Sequence, residues 1–208
     1  MARLGEDFFY KKIDNFFSEE ELKFLDIYTM NALKKFENIN KGPDEWAFQP
    51  AWAEDAVMQT FLESKLPLVE KESNVKLYPT YSFWRYYVFG GKLAEHTDRP
   101  SCEISITACM QKLSDWPIVV GNTSIELKPG EAVLYSGCAI PHSRPGTYTG
   151  EGLAQVFLHY VDKSGPFTHH RNDDFLKFAR SKQSPQDALK IQEMKERYNY
   201  ETSLHNSK

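Results

Sequence analysis

The chain has 208 residues, 14% of them aromatic, and a formal net charge of −4. That length fits one domain large enough to bury a core, and the aromatic content argues against disorder. No basic run marks it as a nucleic-acid binder, and no apolar stretch approaches the ~20 residues of a membrane helix.

Residues 1–7 run into folded-looking sequence without the apolar region of a signal peptide. Cys102, Cys109 and Cys138 are an odd set without CxxC spacing, which argues against a disulfide framework or a zinc site. They read as small buried thiols, and a cytoplasmic protein is expected.

A short strand is predicted at 8–13. A helix should then start at Ser18, where Glu21 completes a capping box and Phe17 and Leu22 can form a hydrophobic staple. Leu22, Leu25, Tyr28 or Thr29, Ala32, Leu33 and Phe36 follow helical spacing and give this helix one apolar stripe. Gly42-Pro43 should end the segment, and 46–52 reads as irregular. A second helix is predicted at 54–64, stopped before Pro67.

From Leu77 the texture changes to β-branched and aromatic runs separated by turn residues. Strands are predicted at 77–89, 103–111, 118–120, 123–127, 132–136 and 153–161. Gly121-Asn122 suggests a two-residue hairpin loop and Pro129-Gly130 a type II turn. In 103–108 apolar and polar residues alternate, so one strand face packs while the other meets solvent or a polar pocket. Helix returns at 172–180 and from Ser184-Pro185 to about Tyr198, with a frayed tail at 203–208. Many short strands with turns between them indicate a β-sandwich or barrel.

His96-Thr97-Asp98, with His142 after a turn and an apolar strand (128–135), is the ligand set of a facial triad. Three protein ligands on one face of an octahedral iron leave three positions for oxygen and a chelating co-substrate. His159 is the other candidate for the distal ligand; packed within its strand, it reads better as a supporting histidine. His169-His170 reads as an exposed pair in a polar loop, and His205 as solvated.

Five stretches of sequence from Tyr81 to Asp162 resemble the iron(II)- and 2-oxoglutarate-dependent oxygenases, in particular their prolyl-hydroxylase-like branch. They are Arg85-Tyr86-Tyr87-Val88-Phe89-Gly90-Gly91, Glu95-His96-Thr97-Asp98, the run from Lys128 to Tyr135, Pro141-His142, and the closing run from Gln155 to Asp162. The start of the chain, from Ile13 to Glu21, is similar too. The resemblance implies a mainly β fold, a double-stranded β-helix (jelly-roll, cupin-like) with flanking N- and C-terminal α-helices. Residues 1–76 would be N-terminal helical support, 77–162 the jelly-roll core, and 163–208 C-terminal helices and tail, all one domain.

It further implies Fe(II) held by His96, Asp98 and His142, with 2-oxoglutarate and O2 as co-substrates and succinate and CO2 as products. The reaction expected is hydroxylation of an unactivated C–H bond, in a prolyl or other side chain of a protein or peptide. A free amino acid or small metabolite is the alternative substrate, and a non-catalytic jelly-roll binding module the alternative of another class. Related halogenases carry a small residue where Asp98 stands, so Asp98 implies oxygenation. The family's usual cation for the 2-oxoglutarate 5-carboxylate, about ten residues after the distal histidine, is missing: the chain reads Glu151-Gly152-Leu153-Ala154-Gln155 there. Arg144, two after His142, is expected to replace it, with Arg85 the second choice and Tyr86 hydrogen-bonding the co-substrate. Arg99 is expected to meet substrate or to orient the ligand loop; Trp84 and Trp116, near the expected mouth, are candidates to stack on substrate, with core packing the better reading for both.

Overall fold

The computed structural model describes residues 10–36, 49–171, 173 and 184–205. The expectations for 8–9, 42–43, 46–48, 206–208 and nearly all of the helix at 172–180 lie outside the described residues, as does the His205 side chain.

The chain enters through β1 (Tyr10–Ile13) and the helix α1 (Glu19–Phe36). The capping box forms as its chemistry requires: Ser18 N–H donates to Glu21 Oε2 at 2.7 Å, and Glu21 N–H donates to Ser18 Oγ at 3.2 Å. Of the predicted stripe, Leu25 and Thr29 are inaccessible and Leu22, Tyr28, Ala32 and Leu33 are partly buried against the same core; the Phe36 side chain lies outside the described residues. A short strand β2 (Ala51–Ala53) follows where the sequence suggested irregular chain. Then come α2 (Ala56–Ser64), capped by Asp55, and α3 (Leu66–Ser73). Pro67 ends α2 as expected but also opens α3, because proline fits the first turn of a helix, where its missing N–H has no partner to lose.

Eight further strands follow: β3 (Leu77–Tyr87), β4 (Leu93–His96), β5 (Ile104–Lys112), β6 (Ile118–Val120), β7 (Thr123–Ile125), β8 (Ala132–Tyr135), β9 (His142–Arg144) and β10 (Leu153–Asp162). The helix α4 (Pro185–His205) closes the described chain, continuing past the predicted end at Tyr198. The strands form two sheets, one in the order β1-β8-β5-β10-β3-β2 and the other β4-β9-β6-β7, antiparallel throughout. This is the expected jelly-roll: two facing sheets with helices outside. The turns hold as read. Gly121 alone is at positive φ (58°) in the two-residue β6–β7 loop, the pattern of a type II′ turn, and Gly130 (φ 88°) completes a turn closed by Glu131 N–H to Lys128 O at 2.9 Å.

Period-two alternation divides the interior into two layers. On β5 and β8, Ile104, Ile106, Ala108, Ala132 and Leu134 face the helix side, where they join Leu25, Met58, Leu62 and Trp84 in one core. Cys109, Val133 and Tyr135 face the other sheet and join Trp116, Ile118, Val120 and Tyr148. Ser105 and Thr107, the polar face of β5, therefore point between the sheets and are fully buried. Cys102, Cys109 and Cys138 are buried free thiols.

Glu103, just before β5, is also fully buried, and accepts the Asp162 N–H at 2.8 Å. Burial pushes its carboxyl up to about 7; the Asp162 N–H bond opposes the shift and the Asp162 carboxylate adds to it. Its folded pKa thus lies above the 4.5 of a free glutamate. The stability it contributes is complete below that value and is lost as pH rises through about 7, amounting to about 3 kcal/mol. Glu103→Gln should remove this dependence, so urea unfolding should show the variant gaining about 2–3 kcal/mol on wild type between pH 5 and pH 8. An identical pH profile in both proteins would show that Glu103 is charged throughout.

Candidate active site

His96 ends β4 and His142 opens β9, and the two are cross-strand partners in the antiparallel pair. Their rings lie 4.3 Å apart, centroid to centroid. Each ring is oriented by its own chain: His96 Nδ1 is 2.8 Å from Ala94 O and His142 Nδ1 is 3.0 Å from Ile140 O. A carbonyl can only accept, so each Nδ1 carries the proton and each Nε2 is left with its lone pair. Both Nε2 atoms point at the same oxygen, Asp98 Oδ1, at 3.6 Å from His96 and 3.5 Å from His142. The three donor atoms lie within 4.8 Å of one another, as a single metal ion requires.

Asp98 is fixed from behind. Its N–H donates to Gly137 O at 2.8 Å, and Ser105 Oγ donates to its other oxygen, Oδ2, at 3.2 Å. A Cβ on Gly137 would lie 2.5 Å from Asp98 Oδ2, from Cys102 O and from Ser105 Oγ. Only glycine lets the turn after β8 approach so closely, and an alanine there must displace the carboxylate or the backbone. Burial disfavours charge on Asp98, but the bond to His142 and the fields of His142, His159 and His96 outweigh it and hold the carboxyl below its ordinary range. Burial likewise works against charge on His142, and its bond to Asp98 outweighs that and raises its pKa. A divalent cation bound between these groups would compete with protonation of His142.

His159 is not aimed at the same point. Its Nδ1 lies 3.0 Å from Ser105 Oγ and its ring packs 4.6 Å from Tyr81. Burial depresses its pKa to about 4, so it stays neutral. Asp98 and His159 also lie close to the Cys102 sulfur. Burial pushes the Cys102 thiol far above its usual range, and Tyr81 OH lies 3.0 Å from the sulfur.

A cavity of about 180 Å³ lies between the sheets against these residues. Tyr81, Phe83, Arg85 and Tyr87 line it from β3, Phe157 and His159 from β10, Tyr135 from β8, Leu93 from β4 and Ile118 from β6. Strand alternation decides which of the expected residues reach it. Arg85 does, flanked by the rings of Phe83 and Tyr87 at 5.4 and 5.6 Å. Tyr86 and Trp84 do not, because neighbours of Arg85 on a strand must face the other way. Trp84 stacks on Trp52 at 3.9 Å in the helix-side core. Tyr86 joins that core as well, its hydroxyl filling the space above Gly152. A strand cannot bring Arg85 and Tyr86 to one co-substrate; Tyr81 and Tyr87 are the tyrosines on the Arg85 side.

Arg144 is also absent from the cavity wall. Its guanidinium is buried between Tyr87 and Trp116, 5.6 and 5.3 Å from their centroids, and donates to Trp116 O. Burial lowers its pKa. Sharing the His142 side of β9 did not bring it to the cavity, because Tyr87 stands between. Arg99 stacks on Tyr81 at 4.3 Å, donates to its hydroxyl at 3.3 Å and pairs with Asp173 at 3.5 Å, so it meets the site through Tyr81. Trp116 donates its indole N–H to Pro145 O at 2.8 Å and belongs to the core between the sheets. Ser105, Gly137, Tyr87 and Tyr135 escaped the sequence reading. For Ser105 the signal was present, in the polar face of the alternating strand.

No protein-family model matches the chain, and no curated protein does either. Solved structures do. The non-heme α-ketoglutarate-dependent carbocyclase SnoK of nogalamycin biosynthesis superposes with a TM-score of 0.65 at 11% identity, covering 89% of this chain and 90% of its own. The viral collagen prolyl hydroxylase of Paramecium Bursaria Chlorella virus-1, in its 2OG complex, gives 0.54 at 13% identity over 74% of this chain and 97% of its own. EctD from S. alaskensis with bound Fe gives 0.57 at 14% identity over 77% and 75%. The fold is the double-stranded β-helix of these oxygenases.

Proposed function

We propose that this protein is an iron(II)- and 2-oxoglutarate-dependent oxygenase. The observation that carries the reading is the convergence of His96 Nε2, Asp98 Oδ1 and His142 Nε2 at a cavity that also holds a buried arginine. Two neutral imidazoles and one carboxylate, with open space before them, suit ferrous iron that must also hold a chelating co-substrate and oxygen. Bound there, iron supplies oxygen activation coupled to decarboxylation of 2-oxoglutarate to succinate and CO2.

The chain's own residues do the rest. Ala94 O and Ile140 O hold the imidazoles with Nε2 inward, and Ser105 turns Asp98 so that Oδ1 faces them. Arg85 is the cation for the 5-carboxylate of 2-oxoglutarate. It lies directly across β3–β10 from Gln155, so the charge missing from the closing strand is supplied one strand over. Phe83, Leu93, Ile118 and Phe157 give the cavity apolar walls that limit water around the reacting groups. Hydroxylation of an unactivated C–H bond, in a prolyl or other side chain of a peptide or protein, is the reaction we assign, with a free amino acid or small metabolite as the second substrate class.

Succinate formation should depend on both Fe(II) and 2-oxoglutarate and vanish in Asp98→Ala. Intact-mass screening of peptides and amino acids against the iron-loaded enzyme should then show a gain of one oxygen. A folded, iron-loaded protein that forms no succinate with any candidate, nor uncoupled without one, would leave a binding module as the better reading.

A further inference from the structure

A second set of two histidines and one aspartate stands away from the cavity. His169 and His170 lie on the 3-10 turn Thr168–His170 that follows β10, and Asp187 lies in the first turn of α4. His169 Nε2 is 3.2 Å from Asp187 Oδ1 and 3.5 Å from Oδ2; His170 Nε2 is 3.2 Å from Oδ2. The rings are 4.2 Å apart, against 4.3 Å for His96 and His142. The pattern of the active site is thus repeated: adjacent imidazoles, each presenting Nε2, converge on one carboxylate. Here the donors are closer together.

We propose that His169, His170 and Asp187 form a second divalent-metal site, of the zinc class, that staples α4 to the β-barrel. Donors about 2.0–2.1 Å from a tetrahedral ion sit about 3.3 Å from one another; each histidine meets that spacing to Asp187 at 3.2–3.5 Å, and all three donor atoms lie within 4.8 Å of one another. The donor set, two imidazoles and a carboxylate, suits zinc and leaves a fourth position for water on the open side. Exposure agrees: the Asp187 and His170 side chains are 6% and 10% accessible, whereas His169 is 55% accessible and faces solvent. The Asp187 carboxylate can accept a hydrogen bond from each ring, and the same three groups would bind a cation through the Nε2 lone pairs once the rings give up those protons.

The surroundings make the site structural rather than catalytic. Ser184 caps α4 and receives the Asp187 backbone N–H at 3.1 Å, which holds the helix turn that carries the carboxylate. Beneath it, Phe167, Val161, Cys138 and Ile191 form a small core between the barrel and α4. These three ligands are not among the residues lining the cavity. From the sequence alone His169-His170 reads as an exposed loop pair, because Asp187 is distant in sequence and only the return of α4 brings it there.

Zinc titration with stoichiometry read by equilibrium dialysis tests this, using the full chain with His96→Ala and His142→Ala to silence the active site. This background should retain one equivalent of zinc, and zinc should raise its melting temperature. Adding His169→Ala, a change at an exposed side chain, should weaken zinc binding at least tenfold and remove most of the melting shift. Adding Asp187→Asn should abolish both. A background protein that binds no zinc, or one whose zinc survives both changes undiminished, would overturn the site.

Discussion

His142→Ala should lose iron binding and all turnover while its circular-dichroism spectrum stays that of a β-rich fold. His96→Ala and Asp98→Ala should do the same, since each removes one of three donors on one face of the ion. Ser105→Ala is the graded control. It deletes the hydrogen bond to Asp98 Oδ2 but no ligand, and loss of such a supporting partner costs about 10–100-fold in metal affinity. His159→Ala should behave like Ser105→Ala or more mildly, because His159 lines the cavity but its Nδ1 is engaged with Ser105 Oγ. Iron content after reconstitution, measured across the series, separates the two tiers. If His159→Ala emptied the site and His142→Ala did not, the distal ligand would be His159.

Arg85→Gln should weaken 2-oxoglutarate strongly and leave iron binding nearly unchanged. A buried carboxylate that loses its charged partner forfeits about 2–4 kcal/mol, or about thirtyfold to a thousandfold in affinity. Arg144→Gln should act differently. Its guanidinium holds Trp116 O and packs between two rings, so the change should lower the melting temperature and alter 2-oxoglutarate affinity only a few-fold. Arg99→Gln should have its main effect through Tyr81. A large loss of 2-oxoglutarate affinity in Arg144→Gln, with little in Arg85→Gln, would move the anchor to β9.

What could be read in the sequence follows from how local each signal is. The capping box at Ser18 and Glu21, the turns at Gly121 and Gly130, and the long strands β3, β5 and β10 depend on nearby residues, and the structure keeps them. β2, β4 and β9 are three or four residues long and have no hairpin signal or β-branched run to mark them, unlike the equally short β6 and β7 on either side of Gly121-Asn122, so only their partner strands reveal them. β4 and β9 carry His96 and His142; the motif located these histidines, but only the pairing puts them face to face. The arginines show the opposite failure. Arg144 is the cation nearest His142 in sequence and shares its strand face, yet the intervening Tyr87 ring decides what it touches. Arg85 could have been preferred from strand alternation alone, once Tyr81, Phe83 and Tyr87 were placed on the same face.

The most direct measurement is anaerobic titration of 2-oxoglutarate into the iron(II)-loaded protein, followed by the metal-to-ligand charge-transfer absorption that chelation of the ion produces. Wild type should give a saturable band with one equivalent of 2-oxoglutarate. Arg85→Gln should give the same band only at much higher concentration, and His142→Ala none. A folded wild-type protein that takes up iron at His96, Asp98 and His142 but develops no band at any 2-oxoglutarate concentration would contradict the assignment of this cavity to an oxygenase.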